Sequence, residues 1–257
     1  MKKIALVSRN DEVSIKIAAT IQNQLVAGGM TYSEDDPEIV CTIGGDGTFL
    51  SAIHKYMNRI DDVAFMGIHT GTLGFFADYT LKEMKQMIEA VLTAEPEIEE
   101  KRLLKIHLNS IDKDCYAVNE MCIQSHRTQT IEVYLGDSHL ETYHGSGLIL
   151  STQMGSTAYS RSLGGAVVAP GMDIMQLTEF AGIHHSRYHS LMNPLIISGE
   201  DTVRFVSDSF TEAMLCFDRY STALPAKEEL VCSLSDHALR LAHYKKVDWV
   251  PHLEQLF

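Results

Sequence analysis

The chain has 257 residues, of which 45% are hydrophobic and 21% are charged, and its formal net charge is −13. This length is enough for one large domain or two small ones, and the composition excludes an intrinsically disordered protein. The negative charge argues against a nucleic-acid-binding protein and against attachment to an anionic membrane surface. No apolar run reaches the ~18 residues of a membrane span, and the N-terminus lacks the apolar region of a signal peptide.

Five cysteines lie scattered along the chain, and none of them forms a C-x-x-C pair. An odd number of cysteines in strand-like surroundings indicates buried, reduced thiols rather than a disulfide framework. We therefore expect a cytoplasmic protein with no nucleic-acid partner and no membrane contact.

Residues 1–100 alternate between strand and helix patterns. Short apolar runs predict strands at residues 3–8, 38–43 and 63–68, and helical periodicity predicts helices at residues 14–26, 49–57 and 81–92. This alternation predicts an α/β domain with a parallel sheet covered by helices on both faces. Such a sheet binds its ligand at the carboxyl ends of the strands.

Residues 101–237 have a different pattern, in which short β-like runs follow one another. The runs lie at residues 103–108, 116–123, 130–135, 138–143, 148–151, 194–198, 202–206, 212–217 and 229–234. Gly136 and Asp137 form the turn of a predicted hairpin. The pattern predicts a β-rich, β-sandwich-like second domain. The tail, residues 238–257, is apolar in patches, and we expect it to pack back on the first domain.

A glycine-rich turn connects the second predicted strand to the next helix, and it reads Gly44-Gly45-Asp46-Gly47-Thr48. Its glycines permit a positive φ and the close approach of a ligand, and its main-chain amides suit a phosphate. Asp46 would repel phosphate, but it suits a Mg²⁺ ligand or the base that takes a proton from an attacking hydroxyl. The alternative is a tight turn in which Asp46 caps the helix. Neither a Walker A loop nor a Rossmann G-x-G-x-x-G motif is present.

Three further segments carry candidate binding residues, each with a structural alternative. Residues 67–76 follow the third strand, and Phe75 there either packs on a flat base or belongs to the core. Asn119 and Glu120 interrupt an apolar run, which indicates either a ligand for a buried polar pair or a β-bulge or edge strand. Residues 155–160 are small and hydroxylated, and they either contact ribose and phosphate or cap a helix through Ser156 or Thr157.

In combination these segments resemble the NAD kinase family, and the short length is similar to its compact Gram-positive bacterial form. The matching positions are residues 44–50, 67–76, 119–120, Gly145, 147–148, 155–160, 164–165 and Asp218. The resemblance implies a Rossmann-like first domain, a β-rich second domain, a homotetramer, and NAD in the cleft between the domains. It also implies that ATP, with Mg²⁺ or another divalent cation, donates the γ-phosphoryl group to the 2′-hydroxyl of the adenosine ribose.

The resemblance assigns roles to individual residues. Asp46 would be the catalytic base, and Gly44, Gly45, Gly47 and Thr48 would bind the phosphates of ATP. The implied NAD-binding residues are Gly45, Asp46, Gly47, Leu73, Phe75, Asn119, Glu120, Ser156, Thr157, Ala158, Tyr159, Ser162, Ala181, Tyr188 and Asp218.

The chain departs from the family in two segments. The usual Arg-Gly-Asp-Gly reads His144-Gly145-Ser146-Gly147, and Gln153-Met154 replaces a proline and a hydroxylated residue. A lost charged contact costs about 1.5–3 kcal/mol. The departures leave open a weakened protein of the same fold that binds NADP(H) or adenosine ligands. A lipid or other small-molecule kinase is the third alternative.

Three of the 12 histidines, His184, His185 and His189, lie close together in sequence. Adjacent residues rarely bind one ion, and no cysteine or carboxylate completes a ligand set. We therefore expect solvent-facing or ligand-pocket histidines here, and no metal site built by the protein.

Overall fold

The computed structural model describes residues 2–71, 74–184 and 190–254. The chain divides into two compact units, of which the first comprises Met1–Lys101 with His237–Phe257 and the second Arg102–Asp236. No helix within the described ranges has the length and apolar character needed to cross a membrane.

The first unit is an α/β fold with a parallel sheet. Its strands are β1 (Lys3–Ser8), β2 (Thr31–Tyr32), β3 (Ile39–Gly44), β4 (Ala64–His69) and β5 (Tyr79–Thr80), in the order β5-β4-β3-β1-β2. Its helices are α1 (Glu12–Ala27), α2 (Asp46–Lys55) and α3 (Met84–Thr93), with 3-10 turns at Met57–Arg59 and Leu81–Glu83. Every residue of β3 and β4 is buried, as expected for central parallel strands covered on both faces.

The ends of the first helix follow from its flanking residues. Asp11 caps α1 by accepting a hydrogen bond from the Ser14 N–H at 3.0 Å, and Gly28 follows the last helical residue. Ile21 and Leu25 of this helix pack with Ile4 and Ile43 of the sheet in the core of the first unit. This core holds the carboxyl ends of β3 and β4 at one edge.

The second unit is built almost entirely of β-structure. Its strands are β6 (Glu97–Leu108, of which residues 97–101 belong to the first unit), β7 (Lys113–Ala117), β8 (Glu120–Leu135), β9 (Ser138–Thr152), β10 (Ile174–Gly182), β11 (Leu195–Ser198), β12 (Val203–Ser207), β13 (Met214–Phe217), β14 (Tyr220–Ala223) and β15 (Glu228–His243, of which residues 237–243 belong to the first unit). The helical pieces are 3-10 turns at Asn109–Ile111 and Met154–Thr157, and the short helix α4 (Tyr159–Ser162).

Long antiparallel strands dominate this unit, in the order β11-β10-β9-β8-β12-β15. The predicted hairpin is confirmed, since β8 and β9 pair across a turn in which Gly136 has φ +57°. An α/β unit with a β-rich unit confirms the predicted fold class. Several boundaries were wrong, because β9 is one strand where two were expected and β10 and β14 were not predicted.

The tail begins as strand rather than as an independent segment. The last residues of β15 continue to His243, where Arg240 and Leu241 pair in parallel with Ala64 and Phe65 of β4. Helix α5 (Trp249–Glu254) follows, and the residues from 237 on belong to the first unit.

Candidate active site

The glycine-rich turn lies at the carboxyl end of β3 and is shorter than predicted. Gly44 ends the strand, Gly45 is the N-cap residue, and α2 begins at Asp46 rather than at Phe49. None of the three glycines adopts the positive φ that glycine permits. The requirement at Gly44 is steric, since a Cβ there would lie 2.3 Å from Oγ1 of Thr48.

Asp46 is the first residue of α2, where a negative charge is favoured by the helix dipole. It does not cap its own helix, because the N-cap position is occupied by Gly45 and no side chain makes a cap hydrogen bond there. Instead, both carboxylate oxygens accept from the Phe75 N–H at 3.1 Å, and Oδ1 also accepts from the Phe76 N–H at 3.4 Å. The carboxylate is therefore held between two strand-end segments of the first unit.

The segment after β4 provides the groups around that carboxylate. Gly74 lies so close that a Cβ there would be 2.1 Å from Oδ1 of Asp46. Phe76 stacks on Phe49 with ring centroids 5.1 Å apart, which makes Phe76 a packing residue. Phe75 is half-buried, and its ring meets the edge of His252 at 6.2 Å. Leu73, a predicted NAD-binding residue, lies outside the described residues.

His69 is a candidate that the sequence analysis missed. It ends β4, is only 5% exposed, and has no hydrogen-bond partner on either ring nitrogen. Its Nε2 lies 3.8 Å from Oδ1 of Asp46. Its position could have identified it, because a polar residue at the end of a fully buried strand, beside the glycine turn, indicates a site residue. Buried polar atoms without partners are uncommon and indicate a group that pairs with a ligand.

In the second unit, Asp218 organises the Asn119-Glu120 segment. Its carboxylate accepts from the Val118 and Asn119 N–H groups, each at 2.8 Å, and its own N–H donates to the Glu120 carbonyl at 3.1 Å. The predicted strand 116–123 is therefore wrong, because the chain breaks between β7 and β8 at Val118 and Asn119. Asn119 and Glu120 are both buried, and β8 begins at Glu120.

Glu120 carries a buried carboxyl group that lacks one hydrogen-bond partner. Its Oε2 has none, and the side chain is 9% exposed. Burial, and then the charge of Asp218, raises the pKa of Glu120 to about 8, although the Tyr159 N–H acts in the opposite direction. The group is therefore mostly protonated at neutral pH and can both donate and accept a hydrogen bond.

The segment 155–160 packs directly against Asn119. A Cβ at Gly155 would lie 2.0 Å from the Asn119 carbonyl oxygen, so only glycine fits. The Ser156 hydroxyl accepts from the Val168 N–H at 3.0 Å, and Thr157 donates to the Met154 carbonyl at 3.3 Å. Neither hydroxyl caps α4, whose N-cap is Ala158 and has no side-chain cap.

The remaining predicted residues of this unit vary in exposure. Tyr159 is 40% exposed at the start of α4, and Ser162 at its end is also exposed. Ala181 is exposed with φ +51°. Tyr188 lies outside the described residues.

His144 and Gln153, in the two segments that depart from the family pattern, each contact another part of the second unit. Nδ1 of His144 lies 3.0 Å from the Thr130 hydroxyl, which pairs it within the sheet. Gln153 donates from Nε2 to the Val168 carbonyl at 3.0 Å. His184 accepts from the Ser190 N–H at 3.3 Å, whereas His185 and His189 lie outside the described residues. Within the described ranges no group of three or more His, Cys, Asp or Glu side chains is arranged to hold a metal ion.

Two family models match the chain in sequence order. The model of the ATP-NAD kinase N-terminal domain matches residues 5–96, and that of the ATP-NAD kinase C-terminal domain matches residues 118–243. NAD kinase 1 of Halalkalibacterium halodurans is 31% identical over 260 residues, covering 99% of this chain and 98% of that protein. NAD kinase of Levilactobacillus brevis is 33% identical over 260 residues, covering 99% and 97%.

Two solved structures have the same fold. Yeast NADH kinase complexed with NADH has a TM-score of 0.86 at 18% identity, covering 100% of this chain and 87% of that one. An NAD kinase from Archaeoglobus fulgidus in complex with ATP has a TM-score of 0.77 at 19% identity, covering 99% and 98%. Since the family models match most of the sequence and the relatives cover nearly all of it, the chain belongs to the NAD kinase family.

Proposed function

We propose that this chain is an NAD kinase, which transfers the γ-phosphoryl group of ATP to the 2′-hydroxyl of the adenosine ribose of NAD. The observation that carries the proposal is the Asp46 carboxylate, fixed at the start of α2 by the Phe75 N–H and 3.8 Å from the buried His69 ring. A base for a weakly acidic hydroxyl must be held within hydrogen-bond reach of it, and positioning supplies most of the catalysis in phosphoryl transfer.

In the proposed reaction Asp46 accepts the proton of the 2′-hydroxyl. The ribose oxygen then forms a bond to the γ-phosphorus, and the bond to the β-γ bridging oxygen breaks, so that ADP leaves with that oxygen. His69 lies beside the carboxylate and can hold it in position or pair with a phosphate oxygen.

The phosphates of ATP are assigned to the turn itself. Gly44 ends β3, Gly45 is the N-cap residue of α2, and Gly47 and Thr48 lie in its first turn, the end of a helix that favours anions. The positive end of the helix dipole at this position suits a polyphosphate without a basic patch. This assignment fits a chain whose net charge is −13.

The second unit is assigned to recognition of the NAD ribose and nicotinamide. Neutral Glu120 can exchange hydrogen bonds with a hydroxyl, which would satisfy its buried Oε2. Asp218 keeps Asn119 and Glu120 in place through three hydrogen bonds. Tyr159, partly exposed, offers a flat surface. The remaining proposed NAD-binding residues are Gly45, Asp46, Gly47, Leu73, Phe75, Ser156, Thr157, Ala158, Ser162, Ala181 and Tyr188.

The divalent cation is proposed to arrive with the nucleotide. Both Asp46 oxygens already accept main-chain hydrogen bonds, and the described residues hold no cluster for a resident ion. Mg²⁺ is usually bound by one or two carboxylates together with substrate phosphates, where it neutralises their charge. The proposal also includes a homotetramer and a cytoplasmic location, the latter supported by five free cysteines.

The test is NADP formation from NAD, ATP and Mg²⁺ by the purified chain, compared with Asp46→Asn. The asparagine oxygen still accepts from the Phe75 N–H, so we expect an unchanged melting temperature and a rate about 10²–10⁴-fold lower. Glu12→Gln, which removes a carboxylate from the same position of α1, is the matched control and should leave the rate unchanged.

Undiminished turnover by Asp46→Asn would contradict the assigned base. Binding of NADP without any turnover by the unaltered chain would instead support the alternative of a binding protein. Phosphorylation of a lipid in place of NAD would support the lipid kinase.

A further inference from the structure

Two cysteines of the second unit face each other across adjacent strands. Cys122 on β8 is the register partner of Cys216 on β13. Two positions along, Asp218 donates its N–H to the carbonyl of the directly opposite Glu120. Since hydrogen-bonded and non-hydrogen-bonded pairs alternate, Cys122 and Cys216 also form a hydrogen-bonded pair, with Cα atoms about 5.5 Å apart. Disulfides form at Cα separations of about 4.4–6.8 Å.

The thiols also share one face of the sheet. Side chains of opposite residues in an antiparallel pair lie on the same face, and Gln124, two residues after Cys122, donates from Nε2 to Sγ of Cys216 at 3.3 Å. Burial raises the pKa of Cys122 to about 12, and the neighbouring Cys216 and Glu120 act in the same direction. The contact with Gln124 therefore places Sγ of Cys216 on the face of the sheet that also carries the side chains of Gln124 and Cys122.

The two thiols differ in access to solvent. Cys122 is buried, whereas Cys216 is partly exposed. A small oxidant therefore reaches Cys216 first. The buried thiol opposite can then attack the oxidised sulfur, as a resolving cysteine does.

No other described cysteine has a cysteine as its strand partner. Cys41 pairs with Leu6 and Met66, Cys115 with Ile106, and Cys232 with Val203. These three are buried in the cores of their units. They provide matched controls for the pair.

We propose that Cys122 and Cys216 are a redox modification site, at which a peroxide produces a reversible disulfide that lowers NAD kinase activity. In the first step the Cys216 thiol reacts with the peroxide to give a sulfenic acid, and water or an alcohol leaves. In the second, Cys122 sulfur bonds to Cys216 sulfur, and the sulfenic oxygen leaves as water with the Cys122 proton. A dithiol reverses the reaction by exchange.

The effect on activity rests on the proposed function and follows from where the bond would form. Opposite Cβ atoms lie about 4.5–5.5 Å apart, and a disulfide requires about 3.5–4.5 Å, so the two backbones must twist locally until the Cβ atoms lie about 1 Å closer. That movement occurs two residues from Glu120 and two residues from Asp218. A misplacement of about 1 Å in a substrate-binding site can cost about 10²-fold in rate.

The test uses the full chain, treated with hydrogen peroxide and digested without reduction. We expect a linked peptide containing Cys122 and Cys216 that dithiothreitol separates, absent from Cys216→Ser and Cys122→Ala but present in Cys115→Ser. NADP formation should fall at least about tenfold on oxidation and recover on reduction, whereas Cys216→Ser should keep its activity. Because the thiolate reacts, the rate of linkage should rise by up to about tenfold per pH unit between pH 7 and 9.

Oxidation of Cys216 to sulfenic or sulfinic acid without a linked peptide would overturn the proposal, and so would a linked protein with full activity. The peptide measurement does not depend on turnover. A reduced chain that forms no NADP would therefore overturn the proposed function. The mass of the digested peptides would still show whether the disulfide forms.

Discussion

Both carboxylate oxygens of Asp46 accept the N–H of Phe75 at 3.1 Å, although 29 residues separate the two in sequence. The bond joins the turn after β3 to the segment after β4. The last residues of these two strands, Gly44 and His69, are register partners in the sheet. Main-chain donors fix a side chain more firmly than water does, so this contact determines where the proposed base can act.

Gly74→Ala tests whether that position matters. A Cβ at residue 74 would lie 2.1 Å from Oδ1 of Asp46, so the carboxylate must move although its chemistry is unchanged. We expect NADP formation to fall by about 10²-fold, with a small change in melting temperature. Gly71→Ala is the matched control, because nothing lies within 4 Å of its Cβ. Equal losses in the two variants would show that the loop, rather than the carboxylate, is responsible.

His69→Phe tests the buried imidazole beside Asp46. Each unpaired buried polar group costs about 1–3 kcal/mol, so an apolar ring of similar size should leave stability unchanged or raise it. If the ring nitrogens position the carboxylate or pair with a phosphate, kcat/KM should fall about tenfold or more. His69→Asn, which keeps a donor and an acceptor, should recover part of the loss. A stable His69→Phe protein with full activity would make the histidine a packing residue only.

The sequence predicts those parts of the site whose signal is local. The turn at residues 44–48 was found because three glycines and a carboxylate interrupt a strand-to-helix pattern. The packing role of Gly44 was not predicted, since Thr48 crowds this residue while its φ stays ordinary. Steric contacts of this kind depend on side-chain positions in the folded chain, which the periodicity of the sequence does not predict.

The break at Asn119 could not be predicted for a different reason. Val118 and Asn119 leave the strand to donate to Asp218, which lies about a hundred residues later in the chain. The residues on both sides of Asn119 and Glu120 are apolar, so the pattern of residues 116–123 indicates one strand rather than two. Likewise, β10 contains the polar residues Gln176, Thr178 and Glu179, so its sequence lacks the apolar pattern from which a strand is predicted.

His243 predicts a pH dependence of stability in the first unit. Its Nδ1 lies 2.8 Å from Asp78 and its Nε2 3.2 Å from Glu99. Burial alone would lower the pKa of His243, but the two carboxylates outweigh it and raise the pKa to about 9. A raised pKa contributes stability that is fully present below about pH 6.5 and is lost as the pH rises through 9.

We therefore expect His243→Gln to lose about 3 kcal/mol of unfolding free energy at pH 6, and progressively less towards pH 10. Urea unfolding at pH 6, 8 and 10 measures the difference. His237→Gln is the matched control on the same strand, because its contact with Asp61 is half exposed and should contribute less than about 1 kcal/mol. A pH-independent loss in His243→Gln would mean that shape, and not charge, is what the residue contributes.

The acidic residue Glu141 also predicts a pH dependence of stability, with the same sign as that expected for His243. It is buried on β9, and burial, followed by the neighbouring Glu179, raises the pKa of Glu141 to about 8. Glu179 in turn accepts from the Leu191 and Met192 N–H groups, each at 3.0 Å, which fix its carboxyl group in place. The protonated Glu141 is thus favoured in the folded state, and the stability it contributes below about pH 4.5 is lost as the pH rises through 8.

Glu141→Gln keeps the shape and removes the titration. We expect its melting temperature to exceed that of the unaltered chain at pH 9 and to approach it at pH 5.5, at about 2–4 °C per kcal/mol. Part of the pH dependence should remain, because Glu120 has a similarly raised pKa. Glu97→Gln, at an exposed position, should change neither value. A constant offset between pH 5.5 and 9 would show that Glu141 is not protonated in the folded protein.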